Sequence, residues 1–205
     1  MRLFSTLAIF VLLLVPPSLA FSQSADAVTA KVDAVFAQYD KSNSPGCALG
    51  VIKDNKLVYS RGYGMANLEH GIANGPKLVY DIGSTSKQFT AASILLLAQA
   101  GKLSLEDDVR KFIPELPAYQ KPILIHHLLH HTSGLRDYLG LFSLAGVSFD
   151  DTTTEADALK LIVKQKALNF TPGGEHLYSN SGYFLLSIVV KRAGGKSLAE
   201  FAKEN

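Results

Sequence analysis

Apolar residues recur along the chain in different rhythms, and each rhythm predicts a different element. Between Ser24 and Tyr39, Val28, Val32, Val35 and Phe36 recur at helical spacing, which predicts an amphipathic helix with one buried face. Pro45 and Gly46 end its exit loop. From Cys47 to Lys53 and from Lys56 to Tyr63 the pattern reads as two strands, and Asp54-Asn55 between them is a polar turn of the kind that closes a hairpin. No run of comparable strand strength follows residue 64. From Ser86 to Ala100 the positions Phe89, Ala91, Ala92 and Ile94 to Ala98 are apolar almost all round, and Gly101 supplies a stop. Such a helix is expected to be central and buried.

Downstream, Ser104-Leu-Glu-Asp107 resembles a capping signal, Pro114 and Pro117 break the chain, and Ile123 to His131 reads as a short helix closed by Gly134. Segments 154–167 and 181–193 are helical in period, and 197–205 begins another amphipathic helix. Strands come first and helices after, so the expected class is α+β: an antiparallel sheet flanked by helices, with a helical subdomain after the hairpin. Two strands do not form a stable sheet alone. The expected domain, residues 25–205, is therefore read as the N-terminal part of a larger one, truncated before its C-terminal strands.

Composition narrows the classes. With 47% hydrophobic and 19% charged residues, the 205-residue chain is that of a globular protein with a core. Its 20 basic and 18 acidic residues leave a net charge of only +2, too little field to attract phosphate backbones, so nucleic acid is not an expected partner. At the start, Arg2 precedes an apolar or small run from Leu3 to Val15, then Pro16, Pro17 and Ser18-Leu-Ala20. That run is short for a bilayer span and is followed by small residues, which predicts a signal peptide over residues 1–20, cleaved near Ala20. A periplasmic or secreted protein with no stable membrane insertion after cleavage is expected. Cys47 is the single cysteine, so no intramolecular disulfide forms, and its apolar surroundings predict a buried, inert thiol.

Candidate chemistry begins in Tyr80-Asp-Ile-Gly-Ser-Thr-Ser-Lys-Gln-Phe-Thr-Ala91, where Ser84 and Lys87 stand three apart at the mouth of the predicted apolar helix. Three residues turn a helix by about 300°, so the ammonium folds back toward the hydroxyl. A serine alcohol needs a partner to take its proton, and a neighbouring lysine can do so or hold an anionic base. The Ser84 amide, at a helix N-terminus, is a candidate oxyanion donor. On spacing alone, a capped helix start with a solvated lysine is the better explanation of the pair. The second element is Tyr178-Ser-Asn180, after Thr171-Pro-Gly-Gly174 and before an apolar helix. Holding a tyrosine ionised at pH 7 costs about 4 kcal/mol unless a cation offsets it, and Lys87 is the candidate cation. An ionised Tyr178 can then take the Ser84 proton and return it to a leaving group, with Asn180 fixing the lysine or a substrate amide. A plain turn with Asn180 as a helix cap is the structural alternative.

Five blocks in order, Gly83-Ser-Thr-Ser-Lys-Gln-Phe-Thr90, Gly101-Lys-Leu-Ser-Leu-Glu-Asp107, His127-Leu-Leu-His-His-Thr-Ser-Gly134, Pro172-Gly-Gly174 and Tyr178-Ser-Asn180, resemble the serine β-lactamase-related family, with its class C β-lactamases, D,D-carboxypeptidases and esterases. The resemblance covers about residues 25 to 205. It implies a β-lactamase/transpeptidase-like fold and a serine hydrolase that forms an acyl-enzyme on a β-lactam, a D-Ala-D-Ala peptide or an ester. It matches Ser84 to the nucleophile, Lys87 to its helix partner, Tyr178 to the general base and Asn180 to the second-motif amide that binds substrate. The family's third motif, Lys or His followed by Thr or Ser and Gly, does not occur within these residues.

His126, His127, His130 and His131 form two pairs at i, i+4 spacing, which is metal-ligand geometry, but no Glu completes the His-Glu-x-x-His pattern. The resemblance assigns this stretch to a structural helix. No metal or cofactor is expected, and the expected state is a monomer acting on a small molecule or peptide. The class alternative is a non-catalytic module that binds peptidoglycan fragments or a partner protein. The family's β-lactamase, peptidase and esterase activities share these motifs and differ in pocket shape and deacylation, so the motifs do not choose the substrate.

Overall fold

The computed structural model describes residues 18–148 and 150–205, with side chains from Ala27 onward. The run Leu3–Val15 and the pair Pro16-Pro17, on which the signal-peptide expectation rests, lie outside the described residues. Among the described residues no helix is long and apolar enough to cross a membrane. The chain forms two compact units, one up to Asp81 and one from Ile82.

In the first unit, helix α1 (Ser18–Phe36) runs into a 3-10 turn at Ala37–Tyr39. Strands β1 (Cys47–Lys53) and β2 (Lys56–Tyr63) pair antiparallel from Cys47↔Tyr63 to Lys53↔Lys56, at the predicted bounds. Asp54 and Asn55 both have positive φ, 50° and 58°, the conformation a two-residue turn needs to match the twist of its strands. Asp33 of α1 ties the helix to the hairpin: its carboxylate accepts hydrogen bonds from Tyr59 Oη at 2.9 Å and Tyr63 Oη at 2.8 Å and pairs with Arg61. The Tyr63 ring, 1% exposed, stacks on Phe36 at 4.9 Å. Two strands that the pattern did not signal follow: β3 (Met65–Asn67) and β4 (Ile72–Ala73) pair in a second small sheet. They are too short for alternation to register. Asn74 O approaches so closely that a Cβ on Gly62 would stand 2.0 Å from it. Cys47 is a free thiol but only half-buried, a correction to the expected full burial.

The second unit is helical. A 3-10 turn at Gly83–Ser86 leads into α2 (Lys87–Gln99), followed by α3 (Ile125–Leu129), α4 (Tyr138–Leu144), α5 (Glu155–Val163), α6 (Asn180–Gly194) and α7 (Leu198–Glu204). The central element is α6, which buries Ser181, Gly182, Leu185, Leu186, Ile188, Val189 and Val190. This corrects the expectation for α2, whose buried residues form a single stripe, Thr90, Ser93, Ile94 and Leu97. Phe89, Leu95 and Leu96 on its other faces are 54%, 52% and 39% exposed. Ile94 and Leu97 of that stripe pack into one core with Val109, Ile113, Ile125, Leu128, Leu135, Ile162 and the apolar face of α6. Gly195 stops α6 in the left-handed region, φ 75°. Ser104 and Asp107 do exchange a capping-type bond, Ser104 N to Asp107 Oδ2 at 2.8 Å, but it closes a turn before the 3-10 segment Val109–Lys111.

Candidate active site

Ser84 lies in the 3-10 turn and Lys87 is the first residue of α2. In a 3-10 turn residues i and i+3 eclipse one another. The lysine therefore returns over the serine, and Lys87 Nζ donates to Ser84 Oγ at 3.0 Å. The same ammonium donates to Asn180 Oδ1 at 2.9 Å. Ser84 Oγ and Tyr178 Oη also share a hydrogen bond of 2.7 Å. Lys87 Nζ also stands 5.0 Å from the centre of the Tyr178 ring and 5.7 Å from that of Tyr183. All four predicted site residues thus meet, although Ser84 and Tyr178 stand 94 positions apart in sequence. Ser84 is exposed and Tyr178 is 47% exposed, so the hydroxyl pair is open to an incoming molecule.

Tyr178 and Asn180 are held by the segment 127–138. Leu177 N donates to His131 O at 2.9 Å, Ser179 N to His131 Nδ1 at 3.2 Å, and Asn180 N to Asp137 Oδ2. Asp137 caps α4 with its other oxygen, accepting from Leu139 N at 2.9 Å. The next residue, Ser181, donates from Oγ to Arg136 O at 2.7 Å and accepts from Tyr138 N at 2.9 Å. Tyr183 Oη donates to Leu129 O at 3.1 Å. Close approach of α6 to α3 needs Gly182, where a Cβ would stand 3.2 Å from Leu128 O. Gly173 turns the preceding loop at φ 82° and donates from N to Thr132 O at 2.8 Å.

The charge pattern favours a proton acceptor at Tyr178. The Lys87 ammonium, as a donor to the phenol, is the main influence holding Tyr178 below the usual tyrosine range; the Ser84 hydroxyl adds to it, while burial and Asp137 oppose it. Burial, then Tyr178, pushes Tyr183 up. Burial is also the main cause that lowers His127 and His131. Chemically, a hydroxyl held between a phenol and an ammonium can lose its proton to the first while the second steadies the charge that results.

The four histidines are not arranged in pairs along one helix face. Helix α3 ends at Leu129, and His131 takes a positive φ of 57°, so the i, i+4 pairs do not share a helix face. His127, 5% exposed, instead accepts from Leu124 N through Nδ1 at 3.0 Å. Among the described residues no group of three His, Cys, Asp or Glu side chains is placed to hold a metal ion. A cavity of about 670 Å³ lined by Tyr119, Lys121, Lys166, Phe170 and Pro172 contains none of the four site residues. Sequence reasoning missed Asp137, His131 and Tyr183 as parts of this assembly. Asp137 before Tyr-Leu-Gly-Leu-Phe142 is legible as a helix cap, but nothing local signals its bond to a residue 43 positions away.

Residues 32–205 match the family model described as Beta-lactamase. The chain is similar to penicillin-binding protein 4* of Bacillus subtilis (strain 168), at 34% identity over 148 residues, 72% of this chain and 32% of that protein. It is similar to a D-aminopeptidase of Gluconobacter oxydans (strain 621H), at 32% identity over 176 residues, 85% of this chain and 33% of that protein. Among solved structures, the octameric penicillin-binding protein homologue from Pyrococcus abyssi superposes with a TM-score of 0.69 and 30% identity, covering 89% of this chain and 41% of that one. The chain spans about a third of the length of the curated relatives it matches. With the match running from α1 to the last residue, this chain belongs to the β-lactamase family and has its α+β fold.

Proposed function

We propose that this chain carries the nucleophile and the proton-transfer groups of a serine hydrolase that works through an acyl-enzyme at Ser84. The observation that carries this reading is the hydroxyl of Ser84 set between Tyr178 Oη at 2.7 Å and Lys87 Nζ at 3.0 Å. Tyr178, as phenolate, takes the Ser84 proton while Oγ bonds to the substrate carbonyl carbon. The tetrahedral oxyanion collapses, the C–N or C–O bond to the leaving group breaks, and Tyr178 returns the proton to the departing nitrogen or oxygen. Water then attacks the acyl-enzyme, giving its proton to Tyr178, and the acyl group leaves as Ser84 regains its hydrogen. Lys87 keeps the phenolate accessible at neutral pH, Asn180 fixes Lys87 and the substrate amide, and the Ser84 amide is the proposed oxyanion donor.

The proposed substrates are β-lactams, D-Ala-D-Ala peptides or esters, and the proposed location is outside the cytoplasm, reached by the signal peptide of residues 1–20. Residues 25–205 are proposed to belong to one β-lactamase-related domain. The test is to incubate the full-length protein with a fluorescent penicillin, a D-Ala-D-Ala peptide and a chromogenic ester, and to locate any adduct by peptide mass spectrometry. An adduct at Ser84, abolished in Ser84→Ala, is the expected result. No adduct and no turnover on any substrate, with Ser84→Ala indistinguishable from wild type, overturns the proposal in favour of a binding module.

A further inference from the structure

We propose that His131 is the positioning residue for Tyr178, acting through a neutral ring whose Nδ1 accepts a hydrogen bond; this rests on the reading of Tyr178 as the proton acceptor. Both chain neighbours of Tyr178 are fastened to this one residue. Leu177 N donates to its carbonyl oxygen at 2.9 Å and Ser179 N to its Nδ1 at 3.2 Å. Between these two anchors the His131 ring lies against the Tyr178 ring, centroids 4.5 Å apart and planes 31° apart, and against Tyr183 at 5.2 Å. The histidine thus sets the height of the phenol over Ser84 by its backbone, its ring nitrogen and its ring face together. It does so from a positive φ of 57°, a conformation that costs a histidine free energy and that glycine or asparagine would adopt more readily.

The bond to Ser179 N decides the protonation state. An Nδ1 that accepts leaves the ring hydrogen on Nε2, whereas a protonated ring would set one N–H against another. Three of the groups that face it discourage protonation as well, Lys87 from α2, His176 from the loop before Tyr178 and His130 beside it, while the rings of Tyr178 and Tyr183 lie against it and a Tyr178 phenolate would act the other way. Burial, His176 and Lys87 hold His131 below the usual histidine range. As pH falls through that lowered value, the ring protonates, the Ser179 bond is lost and Tyr178 is released from its place. An added cation by itself would favour the phenolate, so positioning and simple electrostatics predict opposite signs.

Three variants separate these effects. Asparagine carries an acceptor at the same distance along the side chain, tolerates positive φ and does not titrate. His131→Ala removes acceptor and ring and is expected to lower kcat for acylation about 100-fold with KM little changed, the scale of a 1 Å misplacement. His131→Asn is expected to keep kcat within about tenfold of wild type and to lose the His131 contribution to the acid limb of the pH profile. Should alanine fold poorly at this φ, His131→Gly removes the ring without the strain. An activity-independent readout is the ultraviolet titration of the phenol, with Tyr178→Phe as blank. Loss of position in His131→Ala is expected to move Tyr178 up toward the free value of about 10, while His131→Asn leaves it in place. If wild type forms no acyl-enzyme, the catalytic reading fails and the titration still decides the role of His131. His131→Ala matching wild type in the Tyr178 titration, or His131→Asn losing as much as His131→Ala, overturns the proposal.

Discussion

At the scale of single residues, Lys87 carries the most concentrated set of contacts. An ammonium has three donors, and this one places two of them on Ser84 Oγ and Asn180 Oδ1 while its charge faces the rings of Tyr178 and Tyr183. Arginine keeps the charge but replaces a compact donor with a longer planar fork, and it does not give up its proton in a protein. Lys87→Arg in the full-length protein is therefore expected to lose about 100-fold or more in acylation rate, measured by single-turnover labelling with a fluorescent penicillin. Near wild-type acylation would rule out a proton-accepting lysine and leave a purely electrostatic one. The four residues of this cluster were legible in the sequence because each stands in a short block whose order is informative. His131 and Asp137 were not, since their contribution is a hydrogen bond to backbone amides far along the chain.

At the scale of elements, two helix caps look alike and do different work. Thr154 caps α5 through a reciprocal bond with Asp157: Asp157 N donates to Thr154 Oγ1 at 3.2 Å and Thr154 N to Asp157 Oδ2 at 3.0 Å. Asp137 caps α4 through one oxygen and holds Asn180 N with the other. Each loses about 1 kcal/mol of stability on truncation to alanine, the usual value of a cap. Only Asp137→Ala also frees the start of α6, so it is expected to lower acylation about tenfold, equivalent to about 1.4 kcal/mol, whereas Thr154→Ala leaves it unchanged. Urea midpoints and acylation rates measured on both variants decide this, and equal rates would show that the Asp137 bond to Asn180 does not matter for the site. A helical period from Thr154 was expected from the sequence, but no helix at α4 and neither cap was, and the second role of Asp137 exists only once α4 and α6 pack together.

At the scale of the whole molecule, carboxylates favoured in the folded state predict acid sensitivity. Hydrogen bonds from Tyr63 to Asp33, Lys111 to Asp107, Arg192 to Glu115, Thr154 to Asp157 and Ser197 to Glu200 lower each carboxyl below its ordinary value. Glu115, bonded by both Arg192 nitrogens at 2.8 Å, falls from 4.5 to about 2. A group lowered on folding stabilises the protein above its unfolded value, and that contribution is lost as pH falls through the folded one. Stability is therefore expected to decline from about pH 4.5 toward pH 2. Because this pair is 34% and 43% exposed, solvent screens it, and Glu115→Gln should cost about 0.5–1 kcal/mol at pH 7. Urea denaturation of both proteins from pH 7 to pH 2 is expected to show that gap closing on acidification; a constant gap would assign the loss to packing. Across this molecule, local rules sufficed wherever the partners lie within a turn or a hairpin. The strand runs of β1 and β2, the positive-φ pair Asp54-Asn55, the helical periods and the Ser84–Lys87 spacing were determined by the sequence itself, because steric and hydrogen-bonding preferences act over a few residues. Tertiary structure alone decided that α6, not the more uniformly apolar α2, is the central helix, since a periodic pattern says that a face is buried but not against what. It alone decided that Asp33 binds the tyrosines of β2 and that His131 holds the loop of Tyr178, for contacts spanning 26 to 48 residues form only when packing brings their elements together.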